Sequence, residues 1–186
     1  MPIQRIMSEN RQRMEKAAEF LQTELRGIRT GRASPGLVDN LKVEYYGSPT
    51  PLKQLATIAV PQVDMIVIKP FDPASLKDIE KAIKNSELSI APLVDGKIIR
   101  LNVPPLSEER RQQLVGQVKK MAEQAKVSVR NIRRETIKQL EQEQKAKTIT
   151  EDELEKGKKD IDNITKETTD NIDSIVKAKS EEIMLD

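Results

Sequence analysis

The 186-residue sequence contains no cysteine and no histidine. Disulfide bonds, a Cys/His zinc site, a thiol nucleophile and an imidazole base are therefore excluded. Aromatic residues are scarce too, with two Tyr, two Phe and no Trp, whereas charged residues make up 33% of the chain. The apolar residues that remain are periodic rather than scattered. This periodicity favours long amphipathic helices with an aliphatic core over a disordered chain.

Long apolar runs are also missing, and none approaches the roughly 20 residues needed to cross a bilayer. The N-terminal segment 1–15 is polar and mixed in charge, unlike a signal or transit peptide. No glycine-rich phosphate loop is present, and Asp72, Asp78 and Asp95 lack the spacing of a metal loop or an acid/base pair. We expect a cytoplasmic protein that is not an enzyme, binds no membrane and needs no cofactor or metal.

Proline divides the chain into different kinds of structure, because nine of the ten prolines lie between Gly31 and Pro105. On the N-terminal side, apolar residues recur every seven positions from Met7 to Ile28 and predict a helix from Pro2 to about Arg29. Asn10 and Arg11 interrupt this apolar face. We therefore expect the first turns of the helix to be less buried than the rest.

The C-terminal side predicts two more long helices. The first starts near Ser107, a suitable N-cap, and carries apolar residues at 3–4 spacing as far as Leu140. After a break near residues 147–148, Thr150 and Glu153 form a capping-box pattern that begins the second. Three helices with one apolar face each must pack together to be stable in water.

The proline-rich middle segment predicts a small domain that is mainly β. Strands are expected at 43–46, at 55–60 where Pro61 stops the strand, at 65–68, at 88–90 and at 98–103, with a helix at 75–85 and a hairpin turn at Asp95–Gly96. Adjacent tyrosines on a strand face opposite sides, so we expect one of Tyr45 and Tyr46 in the core. The other could pack or stack on a base.

The predicted fold class is α+β, with a long three-helix bundle and an inserted small α+β domain. The bundle is predicted to comprise residues 1–30 plus 106–186, and the inserted domain residues 31–105. Two chain crossings would join the two domains.

Charge is polarised between the last two predicted helices. Residues 119–134 hold six bases and one acid, whereas residues 151–186 hold twelve acids and six bases. At about 100° per residue, four basic residues project together and Arg134 lies just beyond them. These four form what we call the basic stripe: Lys119, Lys126, Arg130 and Arg133. The stripe is either a solvated face or a phosphate-binding surface, and the sequence pattern alone fits both.

Several motifs together resemble the ribosome recycling factor family over essentially the whole chain. They are Ile28–Gly36 (IRTGRASPG), Val43–Gly47 (VEYYG), Thr50–Leu52 (TPL), Pro104–Leu106 (PPL) with Glu108–Arg111 (EERR), and Val129–Arg134 (VRNIRR). Each motif alone is modest, and their common order and spacing make the resemblance specific.

The resemblance implies an L-shaped protein with roughly the outline of a transfer RNA. It implies a monomer that binds the post-termination ribosome at the large subunit and, with elongation factor G and GTP, separates the subunits and releases the mRNA. The GTPase activity would belong to elongation factor G and not to this protein. The ribosomal RNA contacts that it implies are Arg29, Arg110, Arg130, Arg133 and Arg134. We add Lys119 and Lys126 to these predicted contacts, because they project in the same direction as the arginines of the basic stripe.

The two crossings are predicted to act as a hinge, at Thr30, Gly31, Arg32, Pro104, Pro105 and Leu106. Gly31 tolerates backbone angles closed to other residues, and the two prolines keep the return segment extended. Alternatively, Gly31 is a helix cap and the prolines are a stop signal. A different function also fits the helices and the basic stripe, namely a coiled-coil-like scaffold or RNA-binding adaptor with no role in recycling.

Overall fold

The computed structural model describes residues 2–185, except for the side chain of residue 2. Met1 and Asp186, the outer limits of the predicted bundle, lie outside the described residues. In chain order the helices and strands are α1 (Pro2–Arg26), β1 (Lys42–Tyr45), β2 (Ser48–Pro51), α2 (Leu52–Leu55), β3 (Ala56–Gln62), β4 (Met65–Pro70), α3 (Leu76–Lys84), β5 (Pro92–Asp95), β6 (Ile98–Asn102), α4 (Glu108–Lys145) and α5 (Glu151–Met184). None of these helices is long and apolar enough to cross a membrane.

The chain divides into two compact units. The bundle unit comprises Met1–Leu25 and Val115–Glu181, and the α+β unit comprises Arg26–Leu114 and Glu182–Asp186. The predicted class, a three-helix bundle with an inserted α+β domain, is confirmed. The predicted boundaries at residues 30 and 105 differ from this division and stay a prediction.

The bundle unit buries the apolar faces that the periodicity predicted. Met14 and Leu21 of α1, Val118 and Ile132 of α4, and Ile161 of α5 are all buried. At one end of the unit, Ile3, Ile6 and Met7 of α1 pack against a buried cluster from α4, α5 and the turn between them. That cluster consists of Leu140, Ile149, Leu154 and Ile161. Each helix therefore supplies one apolar stripe to a shared core, which stabilises helices that would be marginal alone.

Asn10 corrects the expectation that it interrupts the buried face of α1. Its side chain is only 1% exposed, and its Nδ2 donates a 2.8 Å hydrogen bond to Thr136 Oγ1 of α4. Thr136 Oγ1 in turn donates to the carbonyl of Ile132. A buried amide needs such a partner, and burial is therefore possible only where α4 presents a hydroxyl.

The start of α5 has the capping box that the sequence predicted. The Thr150 N–H donates to Glu153 Oε2 at 2.8 Å, and the Glu153 N–H donates to Thr150 Oγ1 at 3.2 Å. Two N–H groups that the helix itself cannot satisfy are thereby paired. The turn before it reverses the chain, with Lys147 at a positive φ of 59°.

The α+β unit contains a β1–β2 hairpin and a four-stranded antiparallel sheet in the order β3-β4-β6-β5. Its core is aliphatic. Ile66 and Ile68 of β4, Ile99 of β6, and Ile79 and Ile83 of α3 are fully buried or nearly so. The hairpin predicted at Asp95–Gly96 is confirmed, because β5 pairs antiparallel with β6 and Gly96 has a φ of 61°.

Two strand predictions are wrong in detail. Pro61 does not stop β3, which continues to Gln62 with an irregular register after Ala59. Proline is tolerated there because β3 is an edge strand and needs no donor on its free side. No strand forms at 88–90, since Ser89 has a positive φ of 53°, and the chain enters β5 at Pro92 instead.

Of the tyrosine pair, Tyr45 packs against the core as one of the two was predicted to do, but Tyr46 does not continue the strand. The chain turns there and returns as β2, a strand that the sequence did not predict. Tyr46 and Gly47 have φ values of 46° and 77°, as in a type I′ hairpin turn. Tyr45 packs partly on the core and donates to Asp72 Oδ2 at 3.2 Å. Tyr46 is 83% exposed and contacts the Tyr45 ring edge to face at 4.5 Å.

Candidate nucleic-acid interface

The basic stripe lies on the flank of α4 that faces α5. Contacts between the two helices show that α5 runs antiparallel to α4, because Lys126 meets Asp173 whereas Arg133 meets Asp162. The stripe therefore follows the boundary between a basic helix and an acidic one.

Three of the four stripe residues form ion pairs. Lys126 Nζ lies 2.6 Å from Asp173 Oδ1, and Arg133 Nε lies 2.7 Å from Asp162 Oδ1, both across to α5. Arg130 Nη2 lies 2.7 Å from Glu123 Oε1 within α4. The acidic partners are more than half exposed, so these pairs remain in contact with solvent.

Lys119 and Arg134 differ from the other bases of this surface. Both are exposed, and within residues 2–185 neither has an ion pair. They are available to an anionic partner without breaking an existing contact. The surface thus combines two unpaired bases with three paired ones.

The Glu123 carboxyl interacts electrostatically with Arg130, Lys126 and Asp173. The hydrogen bond from Arg130 and its positive charge hold the pKa of the Glu123 carboxyl below its usual value. Lys126 lowers that pKa further, whereas the negative charge of Asp173 raises it.

Sequence reasoning did not single out Asp162 and Asp173. They are eleven residues apart on α5, which places them on one face of a helix at about 100° per residue. The sequence therefore did contain a signal for these two acids, namely their shared helix face and the acidic character of α5. The pairing with Lys126 and Arg133 needed the interhelical register, which the sequence does not specify locally.

A second basic group lies in the α+β unit, where the positive charges of Arg29 and Arg110 interact. Burial lowers the pKa of the Arg29 guanidinium, and the neighbouring Arg110 lowers it further. Arg29 Nη2 donates to the Pro104 carbonyl at 2.7 Å, whereas its Nε is buried with no hydrogen-bond partner among residues 2–185. An anion bound here would reduce the repulsion between the two cations and accept a hydrogen bond from the unpaired Nε–H of Arg29.

The two chain crossings predicted as a hinge lie next to each other. A Cβ built on Gly31 would lie 3.6 Å from the backbone nitrogen of Leu106, and Gly31 has a φ of 83°. Thr30 is buried, whereas Arg32, Pro104 and Pro105 are exposed.

Both crossings are anchored to the turn that joins β3 to β4. Ala33 N–H donates to the Val63 carbonyl at 2.6 Å, and Val103 N–H donates to the Asp64 carbonyl at 2.7 Å. The predicted hinge residues, 30–32 and 104–106, lie just outside these two hydrogen bonds. Both sets belong to the α+β unit, so they do not coincide with its limits at Arg26 and Leu114.

Metal chemistry has no visible site in the described part of the chain, because no group of three or more acidic side chains among residues 2–185 is arranged to hold an ion. The bases of the candidate interface are guanidinium and ammonium groups. Such groups contact phosphate through charge-assisted hydrogen bonds.

Comparison with known proteins identifies the family. The family profile described as "Ribosome recycling factor" matches residues 21–184. The ribosome-recycling factor of Bacillus licheniformis is 49% identical over 179 residues, which cover 96% of this chain and 97% of that protein. The chain belongs to the ribosome recycling factor family. The corresponding protein of Halalkalibacterium halodurans is 48% identical with the same coverage.

Solved structures of ribosome recycling factors have the same fold. A solution structure of a ribosome recycling factor aligns with a TM-score of 0.77 at 42% identity and covers 99% of this chain and 98% of that one. A second, with a TM-score of 0.68 at 40% identity, covers both chains fully. It is described as a model of the T. thermophilus ribosome recycling factor, with E. coli elongation factor G, bound to the E. coli post-termination complex. Ribosome recycling factors are non-enzymatic translation factors.

Proposed function

We propose that this protein recycles ribosomes in the cytoplasm. It binds the post-termination ribosome at the large subunit and, with elongation factor G and GTP, promotes separation of the subunits and release from the mRNA. Family membership over nearly the whole chain carries this proposal. A similar protein described together with elongation factor G on a post-termination complex supports the choice of partners.

The proposed ribosomal RNA contacts comprise two groups of bases. On α4 they are Lys119, Lys126, Arg130, Arg133 and Arg134. In the α+β unit they are Arg29 and Arg110, where like charges interact and Arg29 Nε has no partner among the described residues. Phosphate oxygens would relieve both the repulsion and the missing hydrogen bond.

We further propose that residues 30–32 and 104–106 act as a hinge. This proposal is supported by two backbone hydrogen bonds. Ala33, after the first crossing, and Val103, before the second, both donate to the β3–β4 turn. The backbone between these bonds and the long helices is the segment best able to absorb a change of angle. Elongation factor G could then move one domain while the other stays bound to RNA.

Ribosome binding by an arginine variant tests the RNA-contact proposal. Arg133→Ala should weaken binding to large subunits and reduce the salt slope of log affinity by about 0.7–0.9, since one phosphate contact is lost. Arg13→Ala is the matched control, because Arg13 also forms an ion pair between helices, with Glu135 at 2.6 Å, but on the opposite flank of α4.

Circular dichroism of both variants should show unchanged helix content. Equal affinities for the wild type, Arg133→Ala and Arg13→Ala would contradict an RNA contact at Arg133. The recycling role itself is tested by separation of post-termination ribosomes in the presence of elongation factor G and GTP. Binding without any subunit separation would instead support an RNA-binding adaptor.

A further inference from the structure

Three bases of the proposed RNA interface are paired with acids in the free protein. Asp173 contacts Lys126 and Asp162 contacts Arg133, at 2.6 and 2.7 Å. A phosphate that approaches either base must therefore replace a carboxylate that is already in place. Lys119 and Arg134, by contrast, have no such competitor within residues 2–185.

We propose that Asp162 and Asp173 are autoinhibitory residues of the RNA interface, which compete with phosphate for Arg133 and Lys126 and so lower the affinity of this surface for RNA. The inference rests on the proposed ribosome binding. An RNA that places phosphates at both positions displaces both acids and is bound tightly. An RNA of unrelated shape, which reaches one position or neither, displaces fewer of them.

The strength of the pairs suits this role. An exposed ion pair changes an equilibrium by up to about fivefold, because solvent screens it. Two such pairs lower the affinity for every RNA that displaces them, yet several well-placed phosphate contacts overcome them.

The spacing of the two pairs determines how many carboxylates a single RNA must displace. Lys126 and Arg133 are seven residues apart, about 10 Å along a helix with a rise of 1.5 Å per residue. Glu123 holds Arg130 between them at 2.7 Å. Only a phosphate backbone that follows this length of α4 can replace all the carboxylates together.

A purely structural role for the two acids makes a different prediction. If Asp162 and Asp173 served only to join α5 to α4, their removal would lower stability and leave RNA affinity unchanged. Asparagine keeps the size of the side chain and removes its charge. The variants Asp162→Asn and Asp173→Asn therefore separate the two roles when stability and binding are both measured.

The experiment compares these variants with Asp170→Asn. Asp170 is an exposed acid on the same helix with no ion pair in the described chain, so the control changes net charge equally. Affinity is measured at fixed salt for isolated large subunits and for a double-stranded RNA of unrelated sequence.

We expect Asp162→Asn and Asp173→Asn to bind large subunits about two- to fivefold more tightly than Asp170→Asn. The affinity for the unrelated RNA should rise too, but by no more than this, because an RNA that displaces fewer carboxylates gains less from their removal. The gain from Asp162→Asn should disappear in an Arg133→Ala background, because the acid acts through that arginine.

Three outcomes would overturn the inference. They are affinities equal to those of Asp170→Asn, a gain that persists without Arg133, and weaker RNA binding by the Asn variants. Failure of the wild-type protein to bind large subunits would refute the proposed function separately, since the comparison on unrelated RNA does not depend on that result.

Discussion

At the scale of single residues, Gly47 and Gly116 both face open space, with no atom within 4 Å of an added Cβ. They differ in backbone conformation, because Gly47 has a φ of 77° in the β1–β2 turn whereas Gly116 lies inside α4. Any effect of alanine at these positions therefore comes from the backbone and not from side-chain contacts.

We expect Gly47→Ala to lower the free energy of unfolding by about 1–2 kcal/mol, since a Cβ disfavours the left-handed region. Gly116→Ala should raise it by about 0.5–1 kcal/mol, because alanine is the better helix former. Urea unfolding of the two variants measures both values. A change of the same sign in both would contradict the turn geometry assigned to Gly47.

Tyr46 shows at the same scale that local conformation and side-chain type do not always agree. Its φ of 46° suits Asn or Gly better than tyrosine, and its ring is exposed. The ring is nevertheless supported, since Tyr45 beneath it is hydrogen-bonded to Asp72. Desolvation of the phenol, together with this hydrogen bond, raises the pKa of Tyr45 above its usual value.

At the scale of elements, the Asn10–Thr136 hydrogen bond connects α1 to α4 inside an aliphatic core. Asn10 Oδ1 has no hydrogen-bond partner within residues 2–185, so this amide is only half satisfied. A buried polar pair of this kind favours one register between two helices, because any slip leaves the amide without its partner.

We expect Thr136→Val to lower the free energy of unfolding by about 1–3 kcal/mol, because the Asn10 amide loses its acceptor. Replacing both residues, as Asn10→Leu with Thr136→Val, should recover most of that loss. Thr168→Val is the control, since Thr168 is also buried and, among residues 2–185, its hydroxyl bonds only to the Ile164 carbonyl of its own helix. Equal losses for Thr136→Val and Thr168→Val would show that the interhelical bond contributes nothing.

At the scale of the whole molecule, the proposed mechanism requires the two domains to move relative to each other. The chain lacks cysteine, so an introduced pair forms the only disulfide. One cysteine is placed in residues 2–25 or 115–181 and the other in residues 33–103, and pairs that oxidise readily are selected.

The oxidised protein should bind large subunits but fail to separate ribosomes with elongation factor G and GTP, because the hinge cannot open. Reduction should restore separation, and the single-cysteine variants should be active under both conditions. Full separation by the oxidised form would rule out the hinge and leave Gly31 and the prolines as helix boundaries.

The sequence by itself determined the class of fold and the family. Helix periodicity, the Thr150 capping box and the concentration of proline in residues 31–105 are local signals, readable because 3.6-residue repeats and cap geometry depend on neighbours in the chain. The polarity between a basic α4 and an acidic α5 was readable in the same way.

Only the tertiary structure decided which side chains of different helices are in contact. Asn10 reads as a break in an apolar face until α4 places Thr136 beside it. Lys126 and Arg133 read as free bases until the register of α5 brings Asp173 and Asp162 within 3 Å. These outcomes depend on contacts between residues far apart in sequence, whose geometry is set by packing of the whole core and not by local pattern.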